Sequence, residues 1–241
     1  MEIVLATLWI YRVAFKRTLE LLSANLPVIF APLVYSVILS LVTTFFGGLW
    51  LIGGIVVTAV TAACASSALY LIENIVRTGK AAVGDFTKGF SVYIWEILGI
   101  AFILWIPMML LSEVAASSPQ GPVILLFVEV LLYVILNPVP ELIYQTRTSG
   151  VALLSASYEF IVENWIEWFV PNVAIGIAAY WLLIWLDIPA AYLPTFFRFF
   201  LLFAVFGLLL MFLMIFRGLV FSELNGTTRR SRAYRYRARS D

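Results

Sequence analysis

Charged side chains inside long apolar runs are costly to keep there, so each is a candidate for chemistry. Glu129 lies seven residues into the apolar run that begins at Pro122, roughly 10 Å along a helix that rises about 1.5 Å per residue. Arg198 stands a few residues into the run that begins near Thr195, approached from the same side. The spacing predicts that the two meet at similar depth as an ion pair; a substrate or proton site, and snorkelling to headgroups, are the alternatives. Glu96, Asn137, Glu141 and Glu167 sit at or just inside the opposite ends of such runs. Two prolines in Asn137-Pro138-Val139-Pro140-Glu141 must loosen that helix end, and if it opens, Asn137 and Glu141 face a wet vestibule. In the simpler account Glu96 and Glu167 reach the interface and Glu141 caps a frayed end. A cation or proton site needs at least two of these carboxylates to converge.

The densest charge is the C-terminal run Arg229-Arg230-Ser231-Arg232-Ala233-Tyr234-Arg235-Tyr236-Arg237-Ala238-Arg239. Near an anionic leaflet each arginine contributes roughly 1 kcal/mol, so Arg229, Arg230, Arg232, Arg235, Arg237 and Arg239 are expected to set topology or dock anionic lipids or acidic proteins. Interleaved tyrosines suit headgroup-level insertion and base stacking equally, and nucleic acid is the weakest of the three partner classes. No catalytic, cofactor-binding or metal-ligating residue is assigned. The chain has no histidine, the commonest general base and a leading metal ligand, and neither a nucleophile elbow nor a paired carboxylate motif stands out. The single cysteine, Cys64, lies in an apolar run and reads as a buried, inert thiol.

The elements that must position these residues are membrane spans. Hydrophobic residues form 63% of the chain and charged residues 12%, with a mean hydropathy of +1.02, far from the balance of soluble domains. No short apolar core followed by a small-residue cleavage site opens the chain, so no removable signal peptide is expected. Six spans are predicted: about 26–46, 49–72, 94–111, 122–143, 165–186 and 195–216. Gly47-Gly48 reverses the first pair, and Pro107 is expected to kink the third span. Gly54, Thr58, Ala62 and Ser66 recur every four residues as a strip on which another helix packs closely, with a hydroxyl-lined path as the alternative. Trp9, Trp50, Trp95, Trp165, Trp168, Trp181 and Trp185 fall mostly near span ends, as an aromatic belt does. Three amphipathic stretches, 2–24, 82–93 and 150–164, precede alternate spans and read as interfacial helices.

Six spans place both termini on one side, and all but one of the fifteen lysines and arginines fall there, Arg198 being the exception. By the positive-inside rule that side is cytoplasmic. Sliding the stretch from Gly150 to Pro171 back by 139 positions sets Ser157 on Thr18, Glu159 on Glu20, Asn164 on Asn25, Phe169 on Phe30 and Pro171 on Pro32. An offset of 68 carries Leu22 and Ile29 to Phe90 and Ile97 in apolar pattern only. The fold expected is therefore all-α and integral to the membrane, with six transmembrane helices in three parallel repeats of interfacial helix plus two-span hairpin. The units run 2–75, 82–143 and 150–221 and form a pseudo-threefold bundle. The transmembrane domain covers 1–222 and a basic cytoplasmic tail 223–241.

At the same residues, Gly84-Asp85-Phe86-Thr87-Lys88-Gly89-Phe90 through Trp95, and Ser149-Gly150 through Ala156-Ser157-Tyr158 to Asn164-Trp165, the chain resembles poorly characterised six-span prokaryotic membrane proteins. These are similar to the YciC-like group and the membrane domain found with glycerophosphodiester phosphodiesterases. The resemblance implies a six-helix domain of a prokaryotic cytoplasmic membrane and carries no catalytic residues. The function expected is a non-enzymatic integral membrane subunit or scaffold that docks lipids or other membrane and cytoplasmic proteins through its cytoplasmic face. A membrane transport component is the alternative, and it requires a polar cavity that reaches Glu129 or Asn137.

Overall fold

The computed structural model describes residues 2–240, with side chains to position 238. The chain is 87% helix with no strand among the described residues, and six helices are long and apolar enough to cross a membrane. Hydrocarbon offers no partner for a backbone N–H or C=O, so a helix is the economical way for such apolar runs to satisfy their own peptide groups.

The helix α1 (Glu2–Ala24) buries Ala6, Ile10, Ala14, Thr18 and Leu21, residues three or four apart on one face. Its outer face carries Val4, Leu8, Phe15 and Leu19 with Arg12 and Lys16 between them, all exposed. At Asn25 the backbone leaves helical geometry (φ −129°, ψ 27°). A 3-10 turn, Leu26–Phe30, then feeds α2 (Ala31–Phe46), and α3 (Trp50–Thr78) returns through the Gly47-Gly48 reversal. α3 stops at Gly79, whose φ of 85° is readily open only to glycine.

The short helix α4 (Val83–Gly89) lies across α3. Contact is so close that a Cβ on Gly89 would stand 2.8 Å from the Cα of Ser67. Ser66 Oγ donates to the Gly89 carbonyl at 2.6 Å and accepts the Tyr93 N–H at 2.7 Å, while Ser67 Oγ donates to the Phe86 carbonyl at 2.7 Å. The inner end of the small-residue strip therefore packs α4, whereas Gly54 and Thr58 at its outer end are exposed. At Tyr93 the chain again steps out of helical geometry (φ −120°, ψ 11°) before α5 (Ile94–Ala116). That helix contains Pro107 and runs beyond the end expected near Leu111.

The fourth span is two helices, α6 (Gly121–Ile135) and α7 (Val139–Thr146). α8 (Gly150–Ala190) runs from the third amphipathic stretch into the fifth span through a kink at Asn164, its one non-helical residue (φ −126°, ψ 15°). α9 (Thr195–Leu224) is the sixth span. The basic tail forms a helix, α10 (Arg229–Ser240), packed on α1. Both termini thus occupy one end of the bundle, where Arg237 pairs with Glu2.

α4 lies on α3, the first half of α8 is tied to α6 by a Ser157 hydroxyl bond to the Ile135 carbonyl, and α1 lies on α9. Gly207 on α9 admits the Ile29 carbonyl of the 3-10 turn before α2 where any side chain would collide. The most deeply buried side chains, among them Ile75, Leu142, Tyr144, Leu153, Trp168, Ile215 and Phe221, gather at the terminal end. Along the spans, α5 and α6 are almost bare of protein cover. Two apolar helices gain little hydrophobic free energy by leaving lipid for each other, so tight packing concentrates where the chain meets water and headgroups.

Candidate functional site

Proline at 138 and 140 has no N–H to give the Val134 and Leu136 carbonyls, which take the Asn137 and Val139 N–H groups at 3.4 and 3.1 Å instead, so the break leaves neighbouring carbonyls in need of other donors. The Ile135 carbonyl takes the Ser157 hydroxyl at 2.6 Å, and the Asn137 carbonyl takes Nη2 of Arg217 at 2.7 Å. Arg217, on α9, also donates Nε and Nη2 to the two oxygens of Glu141 at 2.7 and 2.9 Å. Its guanidinium lies over the Trp168 ring, 5.0 Å from the centroid, while the Trp168 indole N–H donates to Oδ1 of Asn137 at 2.8 Å. Glu141 is fully buried. Three helices, α7, α8 and α9, and the break between α6 and α7 are therefore locked through one arginine. A pair so enclosed is costly to desolvate, and its integrity matters more than its net stabilisation: removing one partner from such a pair costs about 3–5 kcal/mol.

A second cluster fastens the tail. Glu167, buried on α8, accepts from Nε and Nη2 of Arg229 at 2.5 and 3.0 Å, with Arg232 Nη2 3.7 Å away. Arg232 is itself buried and donates to Asn164 Oδ1 at 3.1 Å and to the Thr227 carbonyl at 2.9 Å. Tyr11 of α1 donates to the Glu167 carbonyl at 2.8 Å. The bond to Glu167 raises the Arg229 guanidinium above its ordinary value, whereas burial pulls Arg232 down. Burial, and then the charge of Glu167, pushes the Tyr11 phenol up.

The third cluster surrounds Glu73, buried near the end of α3. It accepts from Arg77 Nη1 at 2.7 Å and from the Tyr93 hydroxyl, and Arg147 Nη2 stands 4.0 Å away. Burial first, then the bond to Glu73 and its charge, raises the Tyr93 phenol well above its usual range. All three buried carboxylates are neutralised by arginine, with a tyrosine added at Glu73. Such an arrangement holds helices in register.

The structure separates the residues expected to pair across the outer half of the bundle. Arg198 donates Nε and Nη2 to Oδ1 of Asp187 at 3.1 and 2.7 Å, because the α8–α9 turn brings that aspartate to it first. Glu129 is exposed on the outer face of α6 with no ion-pair or hydrogen-bond partner among the described residues. Asn137 and Glu141 do come together, but around Arg217 rather than in a vestibule. Glu167 does not reach the interface, since Arg229 and Arg232 cover it. Glu96 is half-buried and apart from the other carboxylates.

Most of the described tail arginines pair with carboxylates of the chain, but only Arg232 is buried. Besides Arg229 and Arg232, Arg235 pairs with Glu223 at 3.3 Å and Arg237 with Glu2. Arg230 has no ion-pair partner among the described residues, and the Arg239 side chain lies outside them. Trp168 is core, not belt, with no exposed surface. Reading residues by their own surroundings missed Glu73, Tyr93 and the central role of Arg217. One signal was present: the offset of 68 that carries Ile29 to Ile97 also carries Glu73 to Glu141 and Asn25 to Tyr93. Comparison with family models, with curated proteins and with solved structures finds no match to this chain.

Proposed function

We propose that this chain is a non-enzymatic integral membrane subunit or scaffold whose partner is another membrane protein, docked against the α5–α6 hairpin. One observation carries the reading: Glu129 stands on the bare outer face of α6, beside exposed Leu126, Val130 and Tyr133. A carboxylate at the centre of a lipid-facing helix costs about 2.5–3.5 kcal/mol on insertion scales, and a partner helix bearing a donor removes that cost. A photo-crosslinking residue at Leu126 or Tyr133 in native membranes tests this. The expected result is one discrete protein adduct that Glu129→Leu weakens. Adducts to lipid alone would sink the subunit reading.

The second reading, a transport component, draws on the break between α6 and α7, since broken helices at membrane depth often line substrate paths. Against it, Arg217 and Trp168 fill the space beside Asn137. Solute flux through proteoliposomes of the purified chain, lost in Glu141→Gln, would favour it.

The three-unit plan belongs to the same proposal. Asn25, Tyr93 and Asn164 adopt one backbone geometry at the three surface-to-span junctions, and each return helix is followed within two residues by a left-handed residue, Gly79, Arg147 or Gly226. We read these as three parallel units about a pseudo-threefold axis, lying in a prokaryotic cytoplasmic membrane with both termini inside. Kinship with the YciC-like group is part of that reading. Arg12, Lys16 and Arg230 then remain for anionic headgroups at the cytoplasmic surface, since the other described tail arginines hold carboxylates of the chain itself.

A further inference from the structure

Between α8 and α9, at the end away from the termini, a cleft of about 560 Å³ opens sideways. Tyr180, Leu183 and Ile184 line it on one helix and Leu202, Phe203 and Phe206 on the other. Asp187 forms part of its wall, one turn beyond Ile184 towards the loop. Arg198 is bound to that aspartate at 2.7 Å, with both partners close to half exposed. The bonding is lopsided: Nε and Nη2 of Arg198 converge on Oδ1 alone. Asp187 Oδ2 and Arg198 Nη1 have no partner of their own among the described residues, one an acceptor and one a donor of opposite charge, on side chains 48% and 40% exposed. The apolar walls run from this pair towards the midplane for two helical turns, roughly 10 Å at about 1.5 Å per residue.

A ligand that fits both features has an apolar chain to fill the cleft and a headgroup that is positive and negative at once. Water is a poor occupant of the cleft, because its walls offer few polar partners. A purely anionic headgroup meets Arg198 but is repelled by Asp187. A quaternary ammonium has no N–H to give Oδ2. A primary ammonium beside a phosphate satisfies both atoms by charge-assisted hydrogen bonds. We infer that the α8–α9 cleft is a binding site for a zwitterionic phospholipid with a primary ammonium headgroup, of the phosphatidylethanolamine class. Its phosphate sits on Arg198, its ammonium on Asp187 and one acyl chain against Leu202, Phe203 and Phe206. The site lies on the opposite face from the basic helix α10 and does not depend on the proposed partner at α6.

Native mass spectrometry of the full chain in mild detergent tests it. Phosphatidylethanolamine, phosphatidylcholine and phosphatidylglycerol with identical acyl chains are titrated singly. The expected result is at least about threefold greater retention of phosphatidylethanolamine than of either other lipid, a difference in binding that headgroup recognition supplies. Asp187→Asn and Arg198→Gln should each abolish the preference while leaving the melting temperature close to that of the parent chain. Leu202→Trp, which fills the cleft, should lower retention of all three. Equal retention of the three lipids by the parent chain overturns the assignment without reference to any variant. Preference for phosphatidylglycerol overturns it as well, and so does a phosphatidylethanolamine preference that survives both charge substitutions.

Discussion

Asn25 and Asn164, 139 positions apart, share one backbone geometry and one side-chain bond: each amide donates to the carbonyl four residues back, Leu21 at 2.8 Å and Phe160 at 3.2 Å. The carboxamide oxygens then diverge. Asn25 Oδ1 takes the Ala81 N–H at 2.8 Å, and Asn164 Oδ1 takes Arg232. Each asparagine therefore ties a surface-to-span corner to the segment that follows a return helix.

Both Asn25→Ala and Asn164→Ala should lower the melting temperature in detergent, each by the equivalent of about 1–3 kcal/mol, the usual cost of orphaning a buried donor or acceptor. Their local effects should differ. Only Asn164→Ala should raise proteolysis near Arg229–Arg232, because only that oxygen holds α10. Equal tail cleavage in both variants would show that α10 does not depend on this bond.

At the centre, Arg217→Leu and Glu141→Leu should each be severely destabilising, by about 3–5 kcal/mol, because each leaves an opposite charge buried alone. The double variant should be far less damaging than the sum of the two. A thermal-unfolding double-mutant cycle reads this directly, and additive losses would contradict the pairing.

In the outer half, Arg198→Gln should couple to Asp187→Asn and be additive with Glu129→Gln. The Arg198–Asp187 pair is close to half exposed, so the coupling should stay under about 1 kcal/mol. Glu129→Leu should leave the isolated chain as stable or more so, since no internal partner is lost, while weakening the crosslink expected at α6.

Salt should separate the bonds that hold the tail. Arg229–Glu167 and Arg235–Glu223 each have a partly exposed arginine, whereas Arg232 is buried. Raising ionic strength from about 0.1 M to about 1 M shortens the screening length from about 10 Å to about 3 Å. Arg229→Ala and Arg235→Ala should then match the parent chain in tail protection, whereas Arg232→Ala should remain more exposed to protease at both salts.

Alkaline pH offers a further check. Tyr11 and Tyr93 are both raised above the ordinary phenol value of 10.0, so the folded state holds their protons more tightly than the unfolded chain does. Their contribution is fully present below pH 10 and declines as pH rises from there towards the folded values. The melting temperature of the parent chain should fall above pH 10, and the doubly substituted Tyr11→Phe, Tyr93→Phe chain should show a shallower decline.

Composition and hydropathy determined most of the architecture. Apolar runs of about twenty residues have one stable outcome in hydrocarbon, so six helices, their reversals and the three amphipathic stretches were legible residue by residue. Repeated residue types marked two of the junctions, Asn25 and Asn164. What only the tertiary structure decided was which charge meets which. A span position does not fix azimuth: Glu129 is exposed on α6, and Arg198 is bound to Asp187, which the α8–α9 turn brings to it. The basic tail read as a topology signal or a docking segment for lipids or acidic proteins, but as a helix it sets Arg229 and Arg232 against Glu167 and Asn164. Glu73 and Arg217 carried no signal of their own at their span ends, and Glu141 read as a vestibule or cap residue. Folding makes them the core, because at that end of the bundle the released backbone carbonyls and buried carboxylates have no donors nearer than one another's helices.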